Sequence, residues 1–246
     1  MKIGVKVWSE DFEYAKKISK YCDFLEVMAM SPKHIAPLKE INTSFTVHNL
    51  HWKSGINFAN RKKHHLNYSS LLMSFKFADE LNSEVVIIHP GLVENNNCNL
   101  DNAISFFNKI GDERIVFENM PLMLKSKKLE QVGARFEEVK KLLDYTKTSF
   151  CLDFSHAMMT GKSISLNPYE YARKFLSLNP RIFHIGGLEL GDTMEDMNEH
   201  LHFEESKVDI REITGLIPKD AKVVIETKLD LEKQKKEILF LKKIFG

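Results

Sequence analysis

The residues best suited to chemistry close a series of short β-branched runs. FTVHN carries His48, VIIHPG carries His89 and IVFEN carries Glu118; CLDFSH follows with Asp153 and His156, IFHIGG with His184 and VVIET with Glu226. The 34 acidic residues and 10 histidines make up under a fifth of the 246 positions, and burying such side chains without a partner is unfavourable. Six successive runs closing on a ligand type is therefore not an effect of composition. Imidazole and carboxylate without thiolate suit zinc, manganese or iron, and Asp153-x-x-His156 turns two ligands towards one pocket. His200-Leu201-His202 offers two more after the seventh run, which gathers six of the ten histidines.

Each residue alone has a plainer reading. A single histidine at a strand end is more often a hydrogen-bonded core residue, and a lone Glu118 could pair with Lys or Arg; it is the concentration that points to a metal centre. Glu26, inside the second run, reads as an ion-pair residue behind the ligands. His34, His51, His64 and His65 fall in loop or early-helix sequence, where a solvated role is the default. Trp8 reads equally as a packing residue of the lip and as a platform for substrate.

Eight runs are needed to position these residues: 2–7, 24–30, 44–49, 85–90, 114–120, 150–156, 181–187 and 222–227. They are nearly continuous in apolar residues, as in VVIIH and KVVIE, which is how strands buried on both faces of a parallel sheet read. Amphipathic stretches alternate with them at 10–21, 32–40, 59–81, 100–109, 129–146, 168–178, 208–216 and 231–244. Ser9 is placed to cap the first helix, and Asn167-Pro168 supplies a cap and a first-turn proline for the sixth. Strict alternation at this length predicts a single-domain α/β fold over 1–246, a (β/α)8 TIM barrel whose βα loops converge on one pocket at the carboxyl ends of the strands. The glycine-rich loops of open-sheet nucleotide binders are absent, and Glu94 to Asn99 reads as a loop.

Composition agrees. With 43% hydrophobic and 28% charged residues, and 35 Lys+Arg against 34 Asp+Glu, the chain is globular, and its net charge of +1 argues against a broad basic face that coats nucleic acid. Three cysteines (Cys22, Cys98, Cys151) without a C-x-x-C pair fit reduced thiols. No secretory h-region opens the sequence and no apolar run is long enough to span a bilayer, so a soluble cytoplasmic protein without a membrane partner is expected.

At this level the sequence resembles the endonuclease IV branch (AP endonuclease family 2) of the xylose-isomerase-like TIM barrels. CLDFSHAMMTG, residues 151–161, resembles that family's C-[LI]-D-x-x-H-A-x-x-x-G segment, and VHNLHWKSGINFAN resembles the segment that opens on a ligand histidine and closes in Ile-Asn-Leu-Ala. The resemblance implies up to three Zn2+ ions. His48, His89 and Glu118 would hold one; Glu118 would bridge to a second held by Asp153, His184 and Glu226; His156, His200 and His202 would hold a third. His200 departs from the family's Asp-x-His, Met120-Pro121 stands where a Thr-Ala-Gly run is expected, and FEESKVDI replaces a glycine-rich turn. ENMP is also similar to the sugar epimerase and isomerase branch, in which Glu118, Asp153, His184 and Glu226 would hold one Mn2+ or Mg2+.

Two chemistries follow from the resemblance. A zinc hydrolase would cleave a phosphodiester, in damaged DNA with an abasic site or in a small phosphorylated compound, with Glu118, Asp153 and Glu226 as the catalytic carboxylates. His51, Trp52 and Lys53, followed by Arg61, Lys62 and Lys63, would then meet the substrate after the third strand. An isomerase or epimerase would instead move a proton on and off carbon of a small sugar through Glu118 and Glu226. A barrel that binds metal and has lost catalysis is the third expectation. Oligomeric state is not legible.

Overall fold

Phe24 fills the space that Gly4 leaves on the neighbouring strand: a Cβ at Gly4 would lie 2.4 Å from the Phe24 ring. The contact lies inside a closed parallel barrel in the computed structural model, which describes residues 1–245. Its strands are β1 (Lys2–Trp8), β2 (Phe24–Met28), β3 (Ser44–His48), β4 (Val86–Ile88), β5 (Ile115–Glu118), β6 (Ser149–Asp153), β7 (Ile182–Ile185) and β8 (Lys222–Ile225). Each pairs in parallel with its sequence neighbours, and β8 closes on β1 with Gly4 opposite Val224. The (β/α)8 expectation is met.

The helices among the described residues are α1 (Phe12–Ile18), α2 (Ile35–Lys39), α3 (His64–Glu80), α4 (Leu100–Phe107), α5 (Phe136–Thr146), α6 (Phe154–Ser163), α7 (Pro168–Lys174), α8 (Ile210–Thr214) and α9 (Leu231–Phe245). None is long and apolar enough to cross a membrane. Asn167 caps α7 as its sequence suggests, accepting from the Glu170 amide at 3.1 Å. Ser9 does not cap α1. Its hydroxyl instead accepts from the Met30 amide and meets His34 Nδ1 at 2.9 Å, tying the ends of β1 and β2 together.

Alternation along the strands sorts the interior into layers. Val5, Leu25, Val47, Phe117, Leu152 and Phe183 belong to the large core shared with the helices. Phe24, Val85, Ile87, Val116, Cys151, Ile182 and Val224 form a separate buried cluster, the apolar plug of the barrel. Each strand carries its next inward residue two positions later.

Three features depart from the sequence reading. β6 stops at Asp153, and His156 lies in the first turn of α6, a helix the strand assignment to 156 had hidden. The stretch 129–146 is not one helix: Leu129–Val132 is a strand, and α5 starts at Phe136, where the Glu138 carboxylate accepts from the Arg135 amide. The βα loops are also not uniformly short. Gly91–Leu92, Leu129–Val132 and Met123–Leu124 build a three-stranded rim sheet, and Gly187–Glu189 pairs with Asn198–Leu201 in a hairpin beyond β7.

Candidate metal centre

Two residues above the apolar plug, every barrel strand presents an ionisable side chain. They are Lys6, Glu26, His48, His89, Glu118, Asp153, His184 and Glu226, which follow Gly4, Phe24, Thr46, Ile87, Val116, Cys151, Ile182 and Val224 at period two. Glu26, His48, Glu118, Asp153, His184 and Glu226 are buried, while His89 and Lys6 retain some contact with the cavity above.

Glu118 is the hub. Its Oε2 meets His89 Nε2 at 3.0 Å and His48 Nε2 at 3.3 Å, and its Oε1 meets His156 Nδ1 at 3.2 Å and His184 Nδ1 at 3.5 Å. His184 also reaches Glu226 Oε1 at 2.9 Å and, through Nε2, Glu26 Oε2 at 3.1 Å. Potential ligand atoms converge in four groups: His48 with His89 and Glu118; Glu118 with Asp153, His184 and Glu226; His156 with Glu199 and His200; and Glu26 with His48 and Glu226.

Supporting bonds fix the rings. His48 Nδ1 lies 2.8 Å from the Asn49 carbonyl, which leaves Nε2 facing Glu118. Asn119 clamps β5 to β6 by donating to the Asp153 carbonyl and accepting from the Asp153 amide, both at 2.9 Å. Asp153 caps α6 through the His156 amide at 2.7 Å. One cap thus sets both ligands of the D-x-x-H motif.

The charges are strongly perturbed. Burial alone would raise the Glu118 carboxyl, but His89 and His184 hold it well below the ordinary range. Burial pushes Asp153 up to about 6 against the pull of His156, with Glu118 and Glu226 adding to the rise. Burial opposes protonation of His156, yet Asp153 and Glu199 raise it well above 6.5. His89 falls to about 4 because burial outweighs Glu118, so its imidazole is neutral at pH 7. Glu118 Oε1, His184 Nδ1, Glu26 Oε1 and Glu199 Oε2 are buried and, although polar atoms lie near them, make no hydrogen bond of good geometry. Hard oxygen and borderline nitrogen crowded together without good hydrogen bonds fit divalent cations.

Of the nine expected ligands, eight fall in these groups. His202 does not. Its Nδ1 is 2.9 Å from Glu237 Oε1 of α9, and the same oxygen accepts from the Phe203 amide at 3.0 Å. The cause is local backbone: His200 sits at φ +56, in the left-handed region, which breaks the alternation that would have put His200 and His202 on one face. Gly187 permits the crowded turn, since a Cβ there would lie 2.5 Å from the His202 carbonyl oxygen. Glu199 stands there instead, 3.3 Å from His156 Nε2 and grouped with His156 and His200. It was missed because its signal, one acid beside a histidine pair, is weak without the kink. Glu26 joins a ligand group, and Lys6 joins the ring as its ion-pair partner, a residue sequence reasoning passed over although it continues the period from Gly4.

The cavity above the ring has a volume of about 560 Å3. His51, Trp52 and Lys53 line it in a short helical turn, as expected of substrate contacts, with Trp8 opposite. His51 is not a solvated surface residue: its ring stacks on His89 at 5.3 Å, and burial together with His89 and His48 lowers its pKa to about 2. His34 is likewise engaged with Ser9, and His64 packs its ring edge on Phe106, whereas His65 is exposed. Arg61 and Lys62 border a separate asparagine-lined hollow, and Lys63 pairs with Glu94 at 2.7 Å, so these three do not face the centre.

The fold and the ring define a class of (β/α)8 barrel with a cluster of candidate metal ligands at its mouth, and the sequence profile of the xylose isomerase-like TIM barrel family matches residues 35–244; the chain belongs to that family. Known structures of similar fold include a D-tagatose 3-epimerase-like protein, 24% identical over 100% of this chain and 98% of that one, with a TM-score of 0.74. Endonuclease IV from Thermus thermophilus is 16% identical over 99% and 98%, with a TM-score of 0.72. D-psicose 3-epimerase with D-tagatose from Clostridium cellulolyticum is 11% identical over all of both chains, with a TM-score of 0.64. No curated protein matches the sequence. Nucleases and epimerases therefore share this scaffold, and these likenesses speak to the fold alone.

Proposed function

We propose that this chain is a divalent-metal hydrolase of phosphate esters, with zinc as the first-choice ion and manganese or magnesium as alternatives. The observation that carries the reading is Glu118, whose two oxygens each face a different pair of imidazoles. A carboxylate so placed is shaped to bridge, and an isomerase with a single metal has no use for all of His48, His89, His156 and His200. His48, His89 and Glu118 would hold one ion; Glu118, Asp153, His184 and Glu226 a second; His156, Glu199 and His200 a third. Bound ions of this kind neutralise charge on phosphate oxygens and make water a nucleophile near neutral pH.

The chain's own residues supply the rest. Asp153, held up to about 6 by burial in the metal-free chain, would be kept ionised by an ion bound on it, so it serves as a ligand and not as a proton carrier. Lys53, Lys125 and Lys228 at the mouth attract an anionic substrate, and Trp52 walls the cavity beside them. The two rim sheets confine the mouth, and Arg61 and Lys62 face elsewhere, so a compact phosphodiester suits the cavity better than an intact duplex. Abasic DNA remains the wider version, in which one nucleotide would have to turn out of the stack.

The experiment is elemental analysis of the purified protein beside hydrolysis of bis(p-nitrophenyl) phosphate and of a duplex with one abasic site. The reading expects more than one metal ion per chain and cleavage of the small diester. It expects Glu118→Gln to lower the rate by about 10^2- to 10^3-fold, the scale of one lost electrostatic anchor. A single ion and no cleavage of either substrate would overturn it.

A second reading has its own observation. Glu118 and Glu226 both approach His184 Nδ1, at 3.5 and 2.9 Å, beneath a cavity with room for a monosaccharide. An epimerase or isomerase holding one ion on Glu118, Asp153, His184 and Glu226 would incorporate solvent deuterium into a ketose.

A further inference from the structure

All four ligand groups are built from imidazole and carboxylate, and one of them also meets a cation of the chain itself. Glu26, His48 and Glu226 converge, and the Lys6 ammonium reaches into that corner from β1. It makes a close ion pair with Glu226 Oε1 and lies 3.9 Å from Glu26 Oε1. Lys6 stands directly across from Glu26 in the β1–β2 register, so its placement follows from the barrel itself and not from a mobile loop. Its side chain is only 19% exposed. A lysine is rarely sunk this far, and here it meets a concentration of acid: Glu226 and Glu26 pair with it, and the Glu118 charge lies close behind.

We propose that Lys6 is a cation built into the chain that stands in for a metal ion at the Glu26–Glu226 corner and competes with the metal for Glu226. The inference rests on the metal-centre reading above and adds a residue to it. Two consequences follow from charge alone. In the metal-free chain Lys6 offsets part of the carboxylate repulsion, so the ring closes before any ion arrives. When an ion binds Glu118, Asp153, His184 and Glu226, it must share Glu226 Oε1 with an ammonium or displace it, and like charges a few ångströms apart in a poorly hydrated site repel strongly. Lys6 therefore weakens that site.

The test compares wild type, Lys6→Met and Lys6→Arg by calorimetric titration with Zn2+ or Mn2+ and by thermal melting with and without chelator. Methionine keeps the length and removes the charge; arginine keeps the charge. Lys6→Met is expected to bind the ion on the Glu226 group at least about tenfold more tightly than wild type, with Lys6→Arg close to wild type. Lys6→Met is also expected to gain more melting temperature from added metal than wild type gains. If Lys6→Met folds only in the presence of metal, chelator extraction from the loaded protein gives the same comparison, and slower release is expected. In a Glu226→Gln background the Lys6→Met effect is expected to shrink, because the carboxylate that the ammonium and the ion share has lost its charge. Equal or weaker binding by Lys6→Met, while wild type binds metal, overturns the Lys6 inference alone. Absence of divalent metal from wild type and every variant overturns the inference and the metal-centre reading together.

Discussion

The two inward-facing layers of the barrel lie two residues apart on the same strands, yet one is a packed apolar plug and the other a ring of eight ionisable groups. Phe24, Val116, Ile182 and Val224 fill the lower layer without a polar group to satisfy, and only the Cys151 thiol reaches up to His184. Glu26, Glu118, Asp153, His184 and Glu226 crowd the upper one, where several buried polar atoms make no hydrogen bond of good geometry. The difference is positional. Strand register repeats at period two, so a rigid lower layer fixes where each upper side chain stands, and the upper layer is free to carry groups that do nothing for stability. Stability and chemistry are divided along each strand, not between separate regions.

The sharpest way to break that division is in the plug. Phe24→Ala removes a ring that Gly4 makes room for, and truncation of a buried phenylalanine costs about 3–5 kcal/mol. Urea unfolding of the metal-free chain should show that loss, while the folded variant keeps the metal content of wild type. Loss of metal in a variant that remains folded would mean the plug and the ring are not separable.

His202 tests the boundary from the other side. Its imidazole pairs with Glu237, whose remaining oxygen accepts from Thr227 Oγ1 at 2.8 Å, and burial raises the Glu237 carboxyl. His202→Ala leaves that carboxyl one donor short, with an expected loss of about 1–3 kcal/mol and no change in metal stoichiometry. A variant that lost one metal ion would return His202 to the centre.

How much of this could be read from sequence follows the same division. The barrel and the convergence of eight of the nine candidate ligands were legible because both depend on local pattern: continuous apolar runs, and a ligand type at the end of each. Asp153 and His156 were legible together, although the strand and helix boundary between them was not, since an N-cap aspartate looks like one more strand residue until the turn is seen. Glu199 and His202 exchanged roles because one residue, His200, adopts a left-handed conformation that no residue type announces except glycine. Lys6 was invisible for a different reason. A lysine in a strand reads as solvated, and only closure of β1 onto β2 and β8 shows that it points at acids.

His51 gives the smallest effect and the finest test of where the ring ends. Its lowered pKa of about 2, against 6.5 when unfolded, means that the folded chain holds the imidazole neutral while the unfolded chain takes up a proton. The contribution is therefore complete above pH 6.5 and is lost progressively as pH falls towards 2. At about pH 4.5 some two pH units of that window have been crossed, each worth about 1.4 kcal/mol, and partial contact with water in the cavity reduces the sum to about 1–2 kcal/mol. Urea unfolding of the chelator-treated protein should show wild type losing this much more stability than His51→Gln between about pH 7.5 and 4.5, since glutamine carries no such proton. Parallel pH profiles for the two chains would mean that His51 is well hydrated, which places the edge of the low-dielectric ring at His89 and leaves the His51–Trp52–Lys53 turn as ordinary surface.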